Sequence, residues 1–262
     1  MSDALAFAGG LALLGAILGS FLATLAIRWP QERTALAGRS ACDACGRTLR
    51  AIELVPLLSA LLQRGRCRAC GAAIDPRHWR IEAGAAAIGL ASGLIAPGWA
   101  GVVGAVFGWL LLTLAAIDAA ELILPDELTA TLAALGLASA ALVPEPAFAD
   151  RMIGAGAGFL SLWFLSTFYG ALRGREVMGE GDPRLLAAIG CWLGWQVLPL
   201  VLFGAAAVGL LTAAIARLRD GAVAWDSELP FGTFLSIAAY MVWAGMVICV
   251  SCWPSLWLLP PP

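Results

Sequence analysis

The chain has 262 residues, 61% of them hydrophobic and 13% charged, with a formal net charge of −2 and a mean hydropathy of +0.86. This composition excludes an ordinary water-soluble domain, and no nucleic-acid partner is expected. Long apolar runs broken by short polar turns indicate an all-α polytopic protein whose solvent is the lipid bilayer.

Taken in order, the apolar runs predict about eight transmembrane helices, near residues 4–27, 82–96, 99–119, 127–143, 152–172, 183–194, 196–217 and 230–253. The first run, Leu5 to Ile27, is too long for a signal-peptide core and has no basic residue before it, so it is read as a retained helix. The second, fourth and sixth runs are short or rich in Ala and Gly. Faces such as Gly84-Ala-Ala-Ala-Ile-Gly89 favour close helix–helix approach.

The basic residues set the orientation. All 16 are arginines, and ten of them fall between Arg28 and Arg80. With eight spans, Arg173, Arg175, Arg217 and Arg219 share that side and Arg184 lies close to it, leaving only Arg151 opposite. The arginine-rich side is therefore expected in the cytoplasm, with both termini on the outer side. Trp99, Trp195 and Trp253 near span ends suit interfacial anchoring. The expected domains are a first helix (1–27), a cytoplasmic loop module (28–81) and a membrane-embedded domain of about seven helices (82–262).

The loop module carries Cys42-x-x-Cys45-Gly46 and Cys67-x-x-Cys70-Gly71. Two such knuckles can present four thiolates tetrahedrally to Zn²⁺, and a closed four-cysteine site would be structural. One or two disulfides are the alternative, which placement on the reducing side opposes. Cys249 and Cys252 repeat the spacing inside an apolar helix, where small buried hydrophobes are expected over a redox pair, and Cys191 is read as packing. His78 is the sole histidine and is read as a solvated loop residue. Its solitude makes a histidine-ligated zinc protease or a Ser-His-Asp hydrolase difficult to build.

One polar, glycine-rich stretch, Val177-Met178-Gly179-Glu180-Gly181-Asp182-Pro183-Arg184, interrupts two apolar runs. A carboxylate at a membrane edge is costly and is read as functional by default. Gly179 and Gly181 leave room for another backbone to come near Asp182, and Pro183 suits the first turn of a helix. The expected topology puts Asp118, at the end of the third span, on the same side at similar depth. Two facing carboxyls could share one proton, one acting as base towards water and the other polarising a carbonyl. The alternative is that these acids only cap helices and face water, which is the reading for Asp126 and Glu127.

These residues together resemble the type IV prepilin peptidase family, the leader peptidases and N-methyltransferases of bacterial inner membranes. The resemblance runs from Gly19-Ser20-Phe21-Leu22 and Arg28-Trp29-Pro30 through both cysteine knuckles. It takes in Glu53-Leu54-Val55-Pro56, Arg64-Gly65-Arg66-Cys67 and Pro76-Arg77 leading to Glu82. It continues with Asp118, the Leu124-Pro125-Asp126 turn, Gly179-x-Gly181-Asp182 and Leu185-Leu186-Ala187-Ala188-Ile189-Gly190. The resemblance implies an intramembrane aspartic protease with Asp118 and Asp182 as its catalytic pair. Prepilins and type II secretion pseudopilins are the implied substrates, cut on the cytoplasmic side. A second implied activity is methyl transfer from S-adenosylmethionine to the new N-terminus, to which no residue is assigned. The chain departs from the family at Ala23, Ile27, Val177 and Arg184. Ala23 and Ile27 bear on methyl transfer, and Arg184 is expected to hold Asp182 ionised. The rival readings are a peptidase that has lost its methyltransferase, a transporter relaying protons through the two aspartates, and a catalytically silent assembly factor.

Overall fold

A computed structural model describes residues 2–33, 40–173, 179–220 and 229–252. Arg175, Val177, Met178 and Trp253 lie outside the described residues, as do the side chains of Arg173 and Cys252. The described chain is helical: α1 (Ser2–Arg28), α2 (Leu58–Gln63), α3 (Arg77–Ile95), α4 (Trp99–Glu121), α5 (Asp126–Ala138), α6 (Phe148–Arg173), α7 (Gly181–Leu193), α8 (Leu198–Asp220) and α9 (Phe231–Cys252). Strand-like pairing among the described residues is limited to two isolated antiparallel bridges, Ala41 with Thr48 and Arg66 with Ala73.

Among the described residues, five helical stretches are long and apolar enough to cross a membrane: Ser2–Gln31, Trp99–Glu121, Phe148–Leu172, Leu198–Arg219 and Phe231–Cys249. The other three expected spans coincide with α3, α5 and α7. Helix α3 starts with Arg77, Arg80 and Glu82 in its first turns. Helices α5 and α7 have 13 residues each, about 20 Å of helix against a hydrocarbon core of about 30 Å. Local chemistry sets these short lengths. Pro125 stands at the N-cap of α5, and Gly194, at φ 76°, ends α7. Length and composition thus carry five spans, and the count of eight is not reached on those grounds.

The chain divides into two compact units, Met1–Thr113 and Leu114–Pro262. In the first, α1 and α3 pack backbone to backbone through small residues. A Cβ at Gly15 would collide with the Ala85 carbonyl, and one at Gly89 with the Leu11 carbonyl. A Cβ at Gly93 would lie 2.6 Å from the Ala8 Cα. Where lipid replaces water, such close approach supplies the dispersion that hydrophobic burial supplies elsewhere. Gly84, expected on the same contact face, instead receives the Leu112 side chain. The Trp109 indole N–H donates to the Ala85 carbonyl at 2.8 Å and locks α4 onto this pair.

In the second unit α7 is the central helix, buried along ten of its residues and packed by α5, α6 and α9. A short helix that is apolar on all sides belongs in the interior of a bundle, which is where α7 lies from Leu185 to Leu193. Gly154, Gly158 and Gly190 bring α6 and α7 together: a Cβ at Gly158 would sit 2.6 Å from the Leu186 carbonyl oxygen. Arg151 is fully buried at the edge of this contact. Its guanidinium donates to the Gly136 carbonyl and the Ser139 hydroxyl, both at 2.7 Å, and to the Pro146 and Val143 carbonyls, both at 2.9 Å. The arginine that stood apart in the orientation argument is an internal tie between α5, α6 and the segment joining them.

Candidate functional site

Asp118 lies one turn before the end of α4, and Asp182 is the second residue of α7; each is 5% exposed. Helix α4 ends because Leu122 takes a positive φ of 56° and Pro125 follows after two non-helical residues. Beyond Pro125 the chain re-enters helix as α5. Helix α7 starts at Gly181 with Pro183 in its first turn, so Asp182 sits at the positive end of the helix dipole. The Asp182 N–H donates to the Gly179 carbonyl at 3.3 Å. Leu124 connects the surroundings of the two carboxyls: it packs on Gly181, which precedes Asp182, and on Gly232, which packs on Asp118.

Asp118 is held by the start of α9. Its Oδ2 accepts hydrogen bonds from the Thr233 backbone N–H at 2.6 Å and from the Thr233 hydroxyl at 2.9 Å. That hydroxyl also lies 3.0 Å from the Ala115 carbonyl. Thr233 is in the first turn of α9, so its N–H has no partner within that helix and is free to serve the carboxylate. Sequence reasoning missed this residue. The signal was Pro230-Phe231-Gly232-Thr233, a proline, a glycine and a hydroxyl at the start of the last span, on the side expected for both aspartates.

The glycines around Asp182 differ in what they face. A Cβ at Gly181 would lie 2.7 Å from the Leu124 Cβ and 3.1 Å from its Cδ1. At Gly179 the nearest atom would be Asp182 Oδ2, at 3.5 Å. The space expected for another backbone is therefore open at Gly179 among the described residues and filled at Gly181 by the protein's own Leu124. Gly232, next to Thr233, has a matching constraint: a Cβ there would meet Leu124 Cδ1 at 2.9 Å and Asp118 Cγ at 3.1 Å.

Arg184 has its ion-pair partner on α5. Its Nη1 pairs with Asp126 Oδ1 at 2.6 Å, an ion pair with both side chains well exposed. Asp126, read as a solvated helix-start acid, thus joins the start of α5 to the start of α7. Glu127 is exposed.

The second constellation is in the loop between α1 and α3. The sulfurs of Cys42, Cys45, Cys67 and Cys70 all lie within 4.8 Å of one another, and Cys42 and Cys70 are 3.8 Å apart. A tetrahedral ion with metal–sulfur bonds of about 2.3 Å needs sulfurs about 3.8 Å apart. The four thiols therefore fit a metal ion, and they are free cysteines, not disulfides.

The two knuckles repeat one backbone device. The N–H of Gly46 returns to the Cys42 carbonyl and that of Gly71 to the Cys67 carbonyl, at 2.8 and 2.9 Å. The first cysteine of each knuckle donates to the residue after the glycine, Cys42 to Arg47 and Cys67 to Ala72. Both glycines adopt positive φ, 67° and 72°, which the tight turn requires. The backbone N–H groups of Cys70 and Ala69 point at the Cys67 sulfur and hold its thiol below the ordinary range, which favours the thiolate form.

Two buried carboxylates brace the loop. Glu53 accepts from the Arg50 N–H at 2.8 Å and from Arg47 at 2.6 Å, and the Arg50 N–H and the Arg47 guanidinium hold its pKa below the ordinary value. Glu82 accepts from the Leu57 N–H at 2.8 Å. His78 is half-buried near the start of α3, and burial lowers its pKa. Cys191 is buried, as its reading as packing required. Cys249, expected to be buried, is exposed on α9. A lipid-facing position suits a small apolar side chain equally well.

Both constellations fall within regions that match known proteins. Residues 13–95 match the bacterial peptidase A24 N-terminal domain, and residues 105–214 match the type IV leader peptidase family. The chain is 40% identical to a prepilin leader peptidase/N-methyltransferase of Aeromonas hydrophila, over 78% of this chain and 70% of that protein. A protein of the same name from Burkholderia pseudomallei (strain K96243) is 43% identical over 76% of this chain and 64% of its own length. One from Pseudomonas aeruginosa is 34% identical over 94% of this chain and 93% of its own. No solved structure matches the chain. Reaching nearly end to end along the Pseudomonas relative, with the cysteine loop in one matched region and both aspartates in the other, the chain belongs to the type IV leader peptidase family.

Proposed function

We propose that this protein removes the leader peptide from type IV prepilins and type II secretion pseudopilins at the cytoplasmic face of a bacterial inner membrane. Asp118 and Asp182 are its catalytic pair. One observation carries the reading: two buried carboxyls, from the end of α4 and the start of α7, stand on either side of Leu124, each reached from it through one glycine, Gly232 and Gly181. In the proposed reaction the ionised carboxyl takes a proton from water as the water oxygen attacks the scissile carbonyl. The protonated carboxyl hydrogen-bonds to the carbonyl oxygen and gives up its proton as the tetrahedral diol forms. Return of a proton to the amide nitrogen breaks the C–N bond and releases the leader acid and the new α-amine. No acyl-enzyme forms, so no nucleophile–histidine pair is needed.

Gly179 leaves the approach to Asp182 open for an extended substrate segment. Gly181 shapes the same site through its contact with Leu124, and Arg184 borders it through Asp126. The four cysteines would hold Zn²⁺ as a structural ion, stabilising a loop with little core of its own. The second activity named for the relatives comes to this chain as part of the proposal. S-adenosylmethionine would supply the methyl group for the newly exposed α-amine, and no side chain is assigned to that transfer. The proposed orientation keeps the arginine-rich loop and both aspartates on the cytoplasmic side and the termini on the outer side.

Incubating the purified protein with a prepilin, with and without S-adenosylmethionine, tests both halves. Mass spectrometry of the pilin N-terminus is expected to show loss of the leader in both reactions and added methyl mass only with the donor. An intact leader in both would overturn the peptidase reading, and a cleaved but unmethylated N-terminus would overturn the methyltransferase half alone.

A further inference from the structure

Beyond the two carboxyls, we infer that Leu124 is a positioning residue that sets the separation of Asp118 and Asp182. The inference rests on those aspartates acting as the proposed pair. Leu124 lies in the extended segment between α4 and α5, and its side chain is wedged between two glycines. On one side is Gly181, whose absent Cβ would fall 2.7 Å from the Leu124 Cβ, and Asp182 follows Gly181 directly. On the other is Gly232, whose absent Cβ would fall 2.9 Å from Leu124 Cδ1 and 3.1 Å from both Leu124 Cδ2 and Asp118 Cγ. The order in space is Asp182, Gly181, Leu124, Gly232, Asp118, so one leucine side chain fills the gap between the backbones that flank the two acids.

Neither Gly181 nor Gly232 has positive φ, so neither owes its identity to backbone conformation. Both are glycine because Leu124, and at Gly232 also Asp118, occupies the space a side chain would take.

The wedge itself is held firmly. Leu124 precedes Pro125, which confines it to extended backbone. Pro125 is buried, and its carbonyl accepts from the Thr129 hydroxyl at 3.0 Å. Asp126, two residues beyond Leu124, is tied to Arg184, two residues beyond Asp182. Two links therefore join this turn to the start of α7, one apolar and internal, one ionic and external. A half-buried leucine in such a place contributes little to the core. Its truncation is expected to change the distance between the acids more than the stability of the bundle.

The test is a kinetic series on prepilin cleavage, with thermal unfolding in the same detergent measured for each variant. Leu124→Ala is expected to lower kcat roughly 10- to 100-fold, since an ångström of misplacement at reacting groups costs on that order. KM should stay within about threefold, and Leu124→Met, which conserves volume, should stay near wild type. Gly232→Ala alone should also lower kcat. Its cost should shrink in the Leu124→Ala background, where the two Cδ atoms that crowd its methyl are gone. Wild-type kcat in Leu124→Ala, a raised kcat, or strictly additive costs in the double variant would overturn the positioning role. A raised kcat would mark Leu124 as a plug that substrate must displace. Asp118→Ala and Asp182→Ala, assayed alongside, separate the two levels of failure. If they still cleave, the pair itself is wrong; if they are inactive while Leu124→Ala is not, only the wedge is wrong.

Discussion

At the scale of single residues, the candidate site depends on what touches each carboxyl. Asp118 has both donors of Thr233 on one oxygen, at 2.6 and 2.9 Å. A hydrogen bond to a charged group is worth about 1.5–3 kcal/mol, and here it also fixes the carboxyl plane. Thr233→Val keeps the shape and the backbone donor and removes the hydroxyl. It is expected to lower kcat for prepilin cleavage about tenfold with little change in KM. Thr233→Ser, which restores the hydroxyl, should recover most of that loss, whereas equal kcat in the valine and serine variants would contradict the assignment.

The aspartates were legible because an acid in an apolar run is conspicuous. Thr233 was not, because a threonine at the start of an apolar helix is ordinary until the fold brings it to Asp118 across 115 positions of sequence. For Arg184, sequence proximity made Asp182 the natural partner. The first turn of α7 instead directs the guanidinium outwards to Asp126.

At the scale of elements, the four-cysteine cluster was legible, since two knuckles with glycine at the same offset specify their own turns. Cys42→Ser is expected to reduce bound metal from about one zinc per chain and to make the loop more open to proteolysis, with a smaller effect on cleavage. Unchanged zinc stoichiometry in that variant would count against four-thiolate ligation.

The short helices were less legible. Apolar content does not separate a lipid-crossing helix from an internal one, so the short fourth and sixth runs were counted as spans, and α5 and α7 are 13 residues long. The role of Arg151 was hidden for a like reason. It was counted as a surface charge, yet its guanidinium satisfies backbone carbonyls at Gly136, Val143 and Pro146. Arg151→Ala leaves those buried acceptors unpaired and opens a cavity, at an expected cost of about 3 kcal/mol. Thermal unfolding should show this as a fall in midpoint of roughly 6–12 °C. Arg151→Lys should recover only part, because one ammonium cannot reach acceptors spread along two helices and a loop. A midpoint unchanged in Arg151→Ala would contradict the role.

At the scale of the whole molecule, the chain is a membrane protein with five long apolar helices and two compact units, one holding the cysteine loop and the other both aspartates. The proposed division of labour follows that arrangement: the thiols order a loop, and the carboxyls do the chemistry. The central claim is that chemistry, and the most direct measurement is the rate of prepilin cleavage by Asp118→Asn and Asp182→Asn. Asparagine has nearly the same shape as aspartate and retains a carbonyl oxygen for the Thr233 donors, so unfolding midpoints close to wild type are expected. It can neither ionise nor relay a proton, so each variant should lose at least about a thousandfold in kcat. Cleavage by either variant within about threefold of the wild-type rate would contradict the assignment.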